Sequence, residues 1–203
     1  KFLSQNKINN DEINKFLLND CYLLYNNLEY HLLGNHLLEN AFSLLFSSYY
    51  FKNHKFYIKS RKLLFHELNE QILNDGGHFE LSPMYHNIIL NRLLDSIKLI
   101  EFNNQFDDNR LLNFLKDKAC LMLSWLENIT YNSGIFPMFN DSAKGISFEP
   151  KLLLDYAKSM GLNIKKVPLS DSGYRKVVMS NYELIIDVGN IGPDYQPGHA
   201  HSD

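Results

Sequence analysis

Residues 173–190, GYRKVVMSNYELIIDVGN, mark the point where the chain changes from one kind of structure to another. Two runs rich in β-branched and aromatic side chains flank Ser180 and Asn181, and this pattern is typical of an antiparallel hairpin. A two-stranded hairpin is only marginally stable alone. We therefore expect a β domain that begins at residue 166 and continues with further strands beyond Asp203.

Upstream of this hairpin the sequence has the pattern of successive helices. Apolar residues recur at spacings of three and four in six stretches, near residues 12–28, 31–52, 55–73, 84–101, 109–130 and 150–160. Capping residues agree with these limits: Ser82 and Pro83 begin the fourth stretch, Asp107 and Asp108 the fifth, and Gly161 ends the last. The sequence predicts a mainly α-helical domain of helix hairpins over residues 1–165.

Composition excludes several classes of protein. The chain has 203 residues, of which 45% are hydrophobic, and this is enough to build a substantial core. Its formal net charge of −3 gives no basic field for nucleic acid, so we expect no nucleic-acid partner. Apolar runs such as residues 42–51, FSLLFSSYYF, are too short for a membrane span. Cys21 and Cys120 match no metal-binding spacing and are interpreted as buried thiols.

Polar side chains interrupt the apolar helix of residues 30–48, YHLLGNHLLENAFSLLFSS. At about 100° per residue, six of them fall within an arc of roughly 140°. They are Asn35, His36, Glu39, Asn40, Ser43 and Ser47. Because apolar residues intrude into this arc, a half-wet interior cleft explains it better than simple exposure, although a solvated helix face remains an alternative. Gly34 suggests a close approach of backbone or ligand.

Two further clusters carry groups suited to chemistry. Residues 75–86, DGGHFELSPMYH, place Glu80 just before a capped helix whose first turns carry Tyr85 and His86. A tyrosine in this position is ordinarily a core residue with its hydroxyl bonded. Residues 133–142, SGIFPMFNDS, form a loop punctuated by Gly and Pro that carries Asn140 and Asp141. Loops of this kind often hold functional residues, and plain loop chemistry is the alternative.

The last residues, 198–203, are GHAHSD. In a strand, His199 and His201 would point to the same face, where one could bind a divalent metal while the other faces substrate. Two histidines in this spacing are weak evidence for a metal. Because they resemble the middle of an active site, we expect the sequence to be a fragment of a longer protein.

Five segments of the chain, in their order, resemble the heparinase II/III family of polysaccharide lyases. They are GNHLLEN (34–40), DGGHFELSPMYH (75–86), GIFPMFNDS (134–142), DSGYRKVVMSNYELIIDVG (171–189) and GHAHSD (198–203). This family includes heparin and heparan sulfate lyases and oligoalginate lyases. The resemblance implies that residues 1–165 are part of an incomplete (α/α) toroid. It also implies that residues 166–203 begin an antiparallel β-sandwich.

The family resemblance also implies an activity, the cleavage of a uronic-acid-containing polysaccharide by β-elimination. Asn35 and His36 match the pair that neutralises the uronate carboxylate. Tyr85 matches the catalytic tyrosine, a general acid to the leaving glycosidic oxygen, or base and acid together for some substrate stereochemistries. His199 matches the histidine that assists neutralisation or proton abstraction. His201 matches a ligand of a structural Zn²⁺ whose other ligands lie beyond Asp203. Acidic or polar positions near the cleft, assigned to substrate binding, are Glu39, Glu80, Asn140 and Asp141.

Other functions remain open on the sequence. A toroid glycoside hydrolase would need two facing carboxylates, and a non-catalytic glycan-binding or polysaccharide-assembly protein would keep the cleft without turnover. In each case we expect an acidic polysaccharide as partner, a bacterial source and a periplasmic or secreted location. We further expect the truncated sheet to favour self-association.

Overall fold

The computed structural model describes residues 10–189. Within that range the chain is mainly helical and ends in a small antiparallel sheet, as the sequence predicts. The elements are α1 (Asp11–Asn26), α2 (Gly34–Tyr50), α3 (His54–Gln71), α4 (Pro83–Glu101), α5 (Asn109–Ile129), α6 (Pro150–Ser159), β1 (Tyr174–Val178) and β2 (Glu183–Asp187). None of the helices in this range combines the length and apolar character that crossing a bilayer requires.

The capping geometry confirms the predicted starts of α4 and α5. The Ser82 hydroxyl accepts the Tyr85 N–H at 3.4 Å, and the Asp108 carboxylate accepts the Leu111 N–H at 2.9 Å. Helix α2 begins at Gly34 and not at residue 31, because Leu33 has φ +59° and therefore cannot belong to a right-handed helix. Gly34, which the sequence pattern places inside the second helical stretch, therefore occupies the start of the helix.

The described residues divide into two compact units. The first unit contains residues 10–68 and 99–112, and the second contains residues 69–98 and 113–189. The core of the first unit includes apolar residues of α2 that are almost completely buried, namely Leu37, Leu38, Ala41, Phe42, Leu44 and Leu45. Here Tyr57 of α3 stacks on Phe106 with 3.9 Å between ring centroids, and its hydroxyl donates to Asp108.

In the second unit the hairpin packs on α5. Trp125 of α5 and Tyr174 of β1 are both fully buried, and their rings meet edge to face at 5.2 Å. The strands pair in the register Lys176↔Ile185, and Ile185 joins the same core. The hairpin is therefore anchored to the helical part of the chain, and the marginal stability of an isolated hairpin does not apply to it.

The two cysteines are both free thiols, as predicted. Cys21 is buried, and its Sγ lies 3.1 Å from the Ser47 hydroxyl. Cys120 is only half-buried, so the prediction of burial is wrong for that residue. Burial raises the pKa of both thiols, and this disfavours the reactive thiolate.

Candidate functional site

Tyr85 lies in the first turn of α4, where local sequence fixes its position. Pro83 occupies the first helical position, and Ser82 caps the turn. The Ser142 hydroxyl accepts the Met84 N–H at 3.2 Å and lies 3.1 Å from the Ser82 hydroxyl. The loop of residues 134–142 is therefore fastened to the helix start that carries Tyr85.

The carbonyl oxygen of Leu81 holds this loop and the hairpin together. It accepts a hydrogen bond from the Asn140 side-chain amide at 2.9 Å and another from the Tyr174 hydroxyl at 2.6 Å. Leu81 and Asn140 both lie in the left-handed backbone region, with φ +56° and +52°. Such conformations cost free energy and are often retained at functional sites. Two of the five non-glycine residues with positive φ in the described range thus lie in the segments that hold the start of α4.

The turn that precedes Tyr85 is held by a buried carboxylate. Asp75 is fully buried, and its Oδ2 accepts bonds from the Ser170 N–H at 2.9 Å, the Ser172 N–H at 3.0 Å and the Ser172 hydroxyl at 2.6 Å. Its Oδ1 accepts the Gly77 N–H at 3.1 Å. We call this group of bonds the Asp75 clasp. It joins the turn to the segment that enters β1.

The electrostatic surroundings of Tyr85 keep its hydroxyl protonated. Partial burial raises the pKa of Tyr85, and the negative charges of Asp141 and Glu80 raise this pKa further. Glu80 is buried, whereas Tyr85 and Asp141 are half-buried. The phenol therefore holds its proton at neutral pH, so it can act as a proton donor, and these surroundings disfavour its action as a base.

Two buried histidines flank the tyrosine in sequence. His86 Nε2 lies 3.1 Å from the Met122 carbonyl oxygen, so it is the protonated nitrogen and donates this bond. His78 Nε2 lies 3.1 Å from the Gln71 side-chain oxygen and is likewise the donor. Burial lowers the pKa of each to about 3, so both rings are neutral. Both rings are fully buried and serve the packing around the start of α4 without adding charge.

Asn35 and His36 lie in the first turn of α2, in the first unit. The His36 side chain is 53% exposed, and its Nδ1 lies 4.0 Å from Glu29 Oε1. Backbone N–H groups at a helix start point outward and favour anions. Asn35 and Glu39 are half-buried. This turn is therefore suited to contact a carboxylate.

The polar arc of α2 is only partly available to a ligand. Asn40 is buried, donates to Glu29 Oε2 at 2.7 Å and accepts the Glu29 N–H at 3.0 Å. Ser47 contacts Cys21 of α1. The interpretation of the whole arc as a cleft lining is thus wrong for these two residues, because α1 and the segment after it pack against them.

The structure brings the negative charges of Glu80 and Asp141 near Tyr85, and Asn140 of the same loop as Asp141 bonds to Leu81. Asn35, His36 and Glu39 belong to the other unit. His199 and His201 lie outside the described residues. Sequence reasoning did not find Asp75, His78 or Ser172, and the adjacent glycines of the DGG turn were the one local signal for the clasp.

The family model for the heparinase II/III N-terminus matches residues 1–159. The chain belongs to the heparinase II/III family. A curated relative, a heparin-sulfate lyase of Bacteroides stercoris, is 31% identical over 116 residues, which are 54% of this chain and 17% of the relative.

Solved structures show the same fold. A heparinase III gene product is similar with a TM-score of 0.63 and 22% identity, over 94% of this chain and 33% of its own. The heparan sulfate lyase HepC from Pedobacter heparinus is similar with a TM-score of 0.67 and 18% identity, over 95% of this chain and 33% of its own. The chain thus spans about a third of these structures and less of the curated relative.

Proposed function

We propose that this chain is part of a polysaccharide lyase that cleaves a uronic-acid-containing polysaccharide by β-elimination. Membership of the heparinase II/III family supports the proposal. The observation that carries it is the half-buried Tyr85, held protonated at a strained helix start beside Asp141 and Glu80. A protonated phenol at such a position is suited to supply a leaving group with its proton.

In the proposed reaction a base removes the proton alpha to the uronate carboxylate. The electron pair forms a carbon–carbon double bond, and the bond to the glycosidic oxygen breaks. Tyr85 gives its proton to that oxygen, so the leaving sugar departs with a hydroxyl group. We assign the removal of the alpha proton to His199, on the family resemblance of the GHAHSD segment.

Asn35 and His36 are proposed to bind the uronate carboxylate. The alpha proton is hard to remove while the carboxylate keeps its full negative charge. Side-chain donors and the N-terminus of α2 would spread that charge as it develops. Donors placed in this way contribute several kcal/mol in a water-poor site, about 3 kcal/mol for one donor.

The remaining polar candidates are proposed either to contact the substrate or to hold the loop that contacts it. Glu39 and Glu80 would accept hydrogen bonds from sugar hydroxyls, as would Asp141. The Asn140 amide donates to Leu81 at 2.9 Å and lies 3.4 Å from Asp187 Oδ2, so we assign it the support of the loop that carries Asp141.

We further propose that residues 1–165 are part of a toroid and that residues 166–203 begin a β-sandwich. His201 would hold a structural Zn²⁺, for which an imidazole nitrogen is a normal ligand. When bound, this ion would contribute folding free energy. We place the protein in the periplasm or outside the cell, where acidic polysaccharides are accessible.

A glycoside hydrolase is the second candidate function, because Glu80 and Asp141 both act on the same tyrosine. Hydrolysis uses two carboxylates, one as acid and one as base or nucleophile. A non-catalytic glycan-binding protein would need neither carboxylate near a protonated phenol.

An ultraviolet absorbance assay of the full-length protein distinguishes these functions. The substrates are heparan sulfate, heparin, hyaluronan, chondroitin, alginate and acidic bacterial exopolysaccharides. Elimination creates a conjugated uronate, so absorbance should rise on at least one polymer. New reducing ends without this absorbance would establish hydrolysis and overturn the proposal. Binding without either product would favour the non-catalytic function.

A further inference from the structure

The turn before helix α3 and the first two thirds of that helix carry a concentration of positive charge, which ends before Glu67 and Glu70. Residues 51–66, FKNHKFYIKSRKLLFH, contain five Lys and Arg residues and no Asp or Glu, although the whole chain has a net charge of −3. Arg61 is used internally, because its Nε donates to Asp108. The remaining lysines of the helix are therefore the part of this segment that can act on an external partner.

Lys55, Lys59 and Lys62 form a stripe along one side of α3, which we call the basic stripe. At 100° per residue their positions fall within an arc of about 60°, and they span about 10 Å along the helix axis. Lys55 and Lys62 are exposed, and Lys59 is half-buried. Within residues 10–189, none of the three forms an ion pair with a carboxylate.

An exposed aromatic ring lies beside this stripe. Lys59 Nζ lies 5.4 Å from the ring centroid of Tyr30, which is 51% exposed. A tyrosine ring offers an apolar face and a polar edge to a sugar. Tyr30 adjoins Glu29, whose carboxylate is bonded to Asn40 and faces His36. The basic stripe and the start of α2 are thus linked within one compact unit.

We infer that the basic stripe and Tyr30 form a binding surface for an acidic polysaccharide chain, in addition to the contacts made at the reacting sugar. The partner is the polymer of the proposed function, on which this inference rests. Charge complementarity carries the assignment. The ammonium groups of the basic stripe form ionic contacts with the regularly spaced carboxylate or sulfate groups of such a chain. The Tyr30 ring packs on the face of a sugar.

The test is the affinity of the full-length protein for heparin, a sulfated uronate polymer, measured by calorimetry at several salt concentrations. The triple variant Lys55→Gln, Lys59→Gln and Lys62→Gln should bind about tenfold more weakly at low salt. The difference should shrink as salt rises, because exposed charges are screened. The matched control is Lys151→Gln, Lys158→Gln and Lys165→Gln, which removes the same charge from other exposed positions and should bind as the parent does.

A second measurement separates this surface from the reacting site. On any polymer that the parent cleaves, the stripe variant should raise KM and leave kcat unchanged, and on a disaccharide or trisaccharide it should match the parent. Parent-like affinity in the stripe variant would overturn the inference, as would equal weakening in the control variant. Equally effective displacement of heparin by inorganic polyphosphate at equal charge would overturn the assignment to a polysaccharide.

The proposed function can fail separately. If the parent produces no unsaturated sugar while the stripe variant still loses heparin affinity, the lyase proposal fails and the binding surface stands. If the parent cleaves the polymer and the stripe variant binds and cleaves as the parent does, the surface fails alone.

Discussion

The chemistry proposed for Tyr85 depends on residues that are distant in sequence. Glu80 lies five positions before it, but Asp141 comes from a loop beyond α5, and both raise the pKa of the tyrosine. The Leu81 carbonyl oxygen accepts hydrogen bonds from Asn140 of that loop and from Tyr174 of β1. A single side chain thus obtains its properties from three parts of the chain.

Tyr85→Phe tests the role of the hydroxyl. We expect the rate of elimination in the full-length protein to fall by about 100-fold to 10,000-fold, the range typical of a lost general acid. The melting temperature should change little, since the ring remains. The control is Tyr182→Phe, which alters an exposed tyrosine and should leave the rate unchanged. A near-normal rate of elimination by Tyr85→Phe would contradict the assignment of Tyr85 as the general acid.

Asp141→Asn tests the electrostatic account. The negative charge of Asp141 raises the pKa of Tyr85, so its removal should lower that pKa. Because the acid acts in its protonated form, activity is lost as pH rises through this pKa. The alkaline fall of kcat/KM should therefore move to lower pH in the variant, with Asp155→Asn as an exposed control. If the alkaline fall of kcat/KM stayed at the same pH in Asp141→Asn, the proposed electrostatic effect of Asp141 on Tyr85 would be contradicted.

At the scale of elements, the turn before α4 is where packing controls the site. Gly76 has φ +91°, and a Cβ at this position would lie 2.0 Å from the Leu121 carbonyl oxygen of α5. The turn is also fixed by the Asp75 clasp to the segment before β1. The close approach to α5 explains why a glycine, and not merely a turn-forming residue, is needed here.

Gly76→Ala should lower the free energy of unfolding by at least about 3 kcal/mol, because α5 must move to accommodate the methyl group. Gly134→Ala is a matched control, since Gly134 has φ +86° but open space around its Cβ. It should cost about 1 kcal/mol from the backbone conformation alone. Chemical denaturation of both variants measures the difference, and equal losses would rule out the steric explanation.

At the scale of the whole molecule, the hairpin has two unlike faces. Ile185 and Tyr174 are buried against α5, whereas the opposite face leaves large apolar side chains exposed. These exposed residues of the hairpin and its flanks are Val177, Met179, Tyr182, Leu184, Ile186 and Val188. An exposed apolar strand face of this kind favours association with another surface.

We predict that residues 1–203 expressed alone self-associate through this face. The double variant Leu184→Lys and Ile186→Lys places charge on it and should shift the chain toward monomer in sedimentation velocity. The control Ile146→Lys alters an exposed apolar loop residue elsewhere and should not. A parent chain that stays monomeric at high concentration would contradict both this prediction and the proposed β-sandwich.

The sequence by itself determined the six helices of the described range, the caps of α4 and α5, and the hairpin, but not the start of α2. These features depend on residues within a few positions of one another: Ser82 caps a turn three residues long, and Ser180 with Asn181 joins adjacent strands. It also determined the family, because several local motifs occur in a specific order. Tyr85, Glu80 and Asp141 could be selected as candidates in this way, but their mutual influence could not.

Tertiary structure alone decided which polar residues are available to the candidate site and which are used within the fold. Asn40 and Glu39 are consecutive in sequence and belong to one polar arc, yet Asn40 is buried and hydrogen-bonded to Glu29, whereas Glu39 is half-buried. Asp75 appeared to be an ordinary turn residue, but its carboxylate meets Ser172, 97 residues away. A polar side chain acquires its role from the donors and acceptors that packing brings to it, because burial leaves it no water to bond instead.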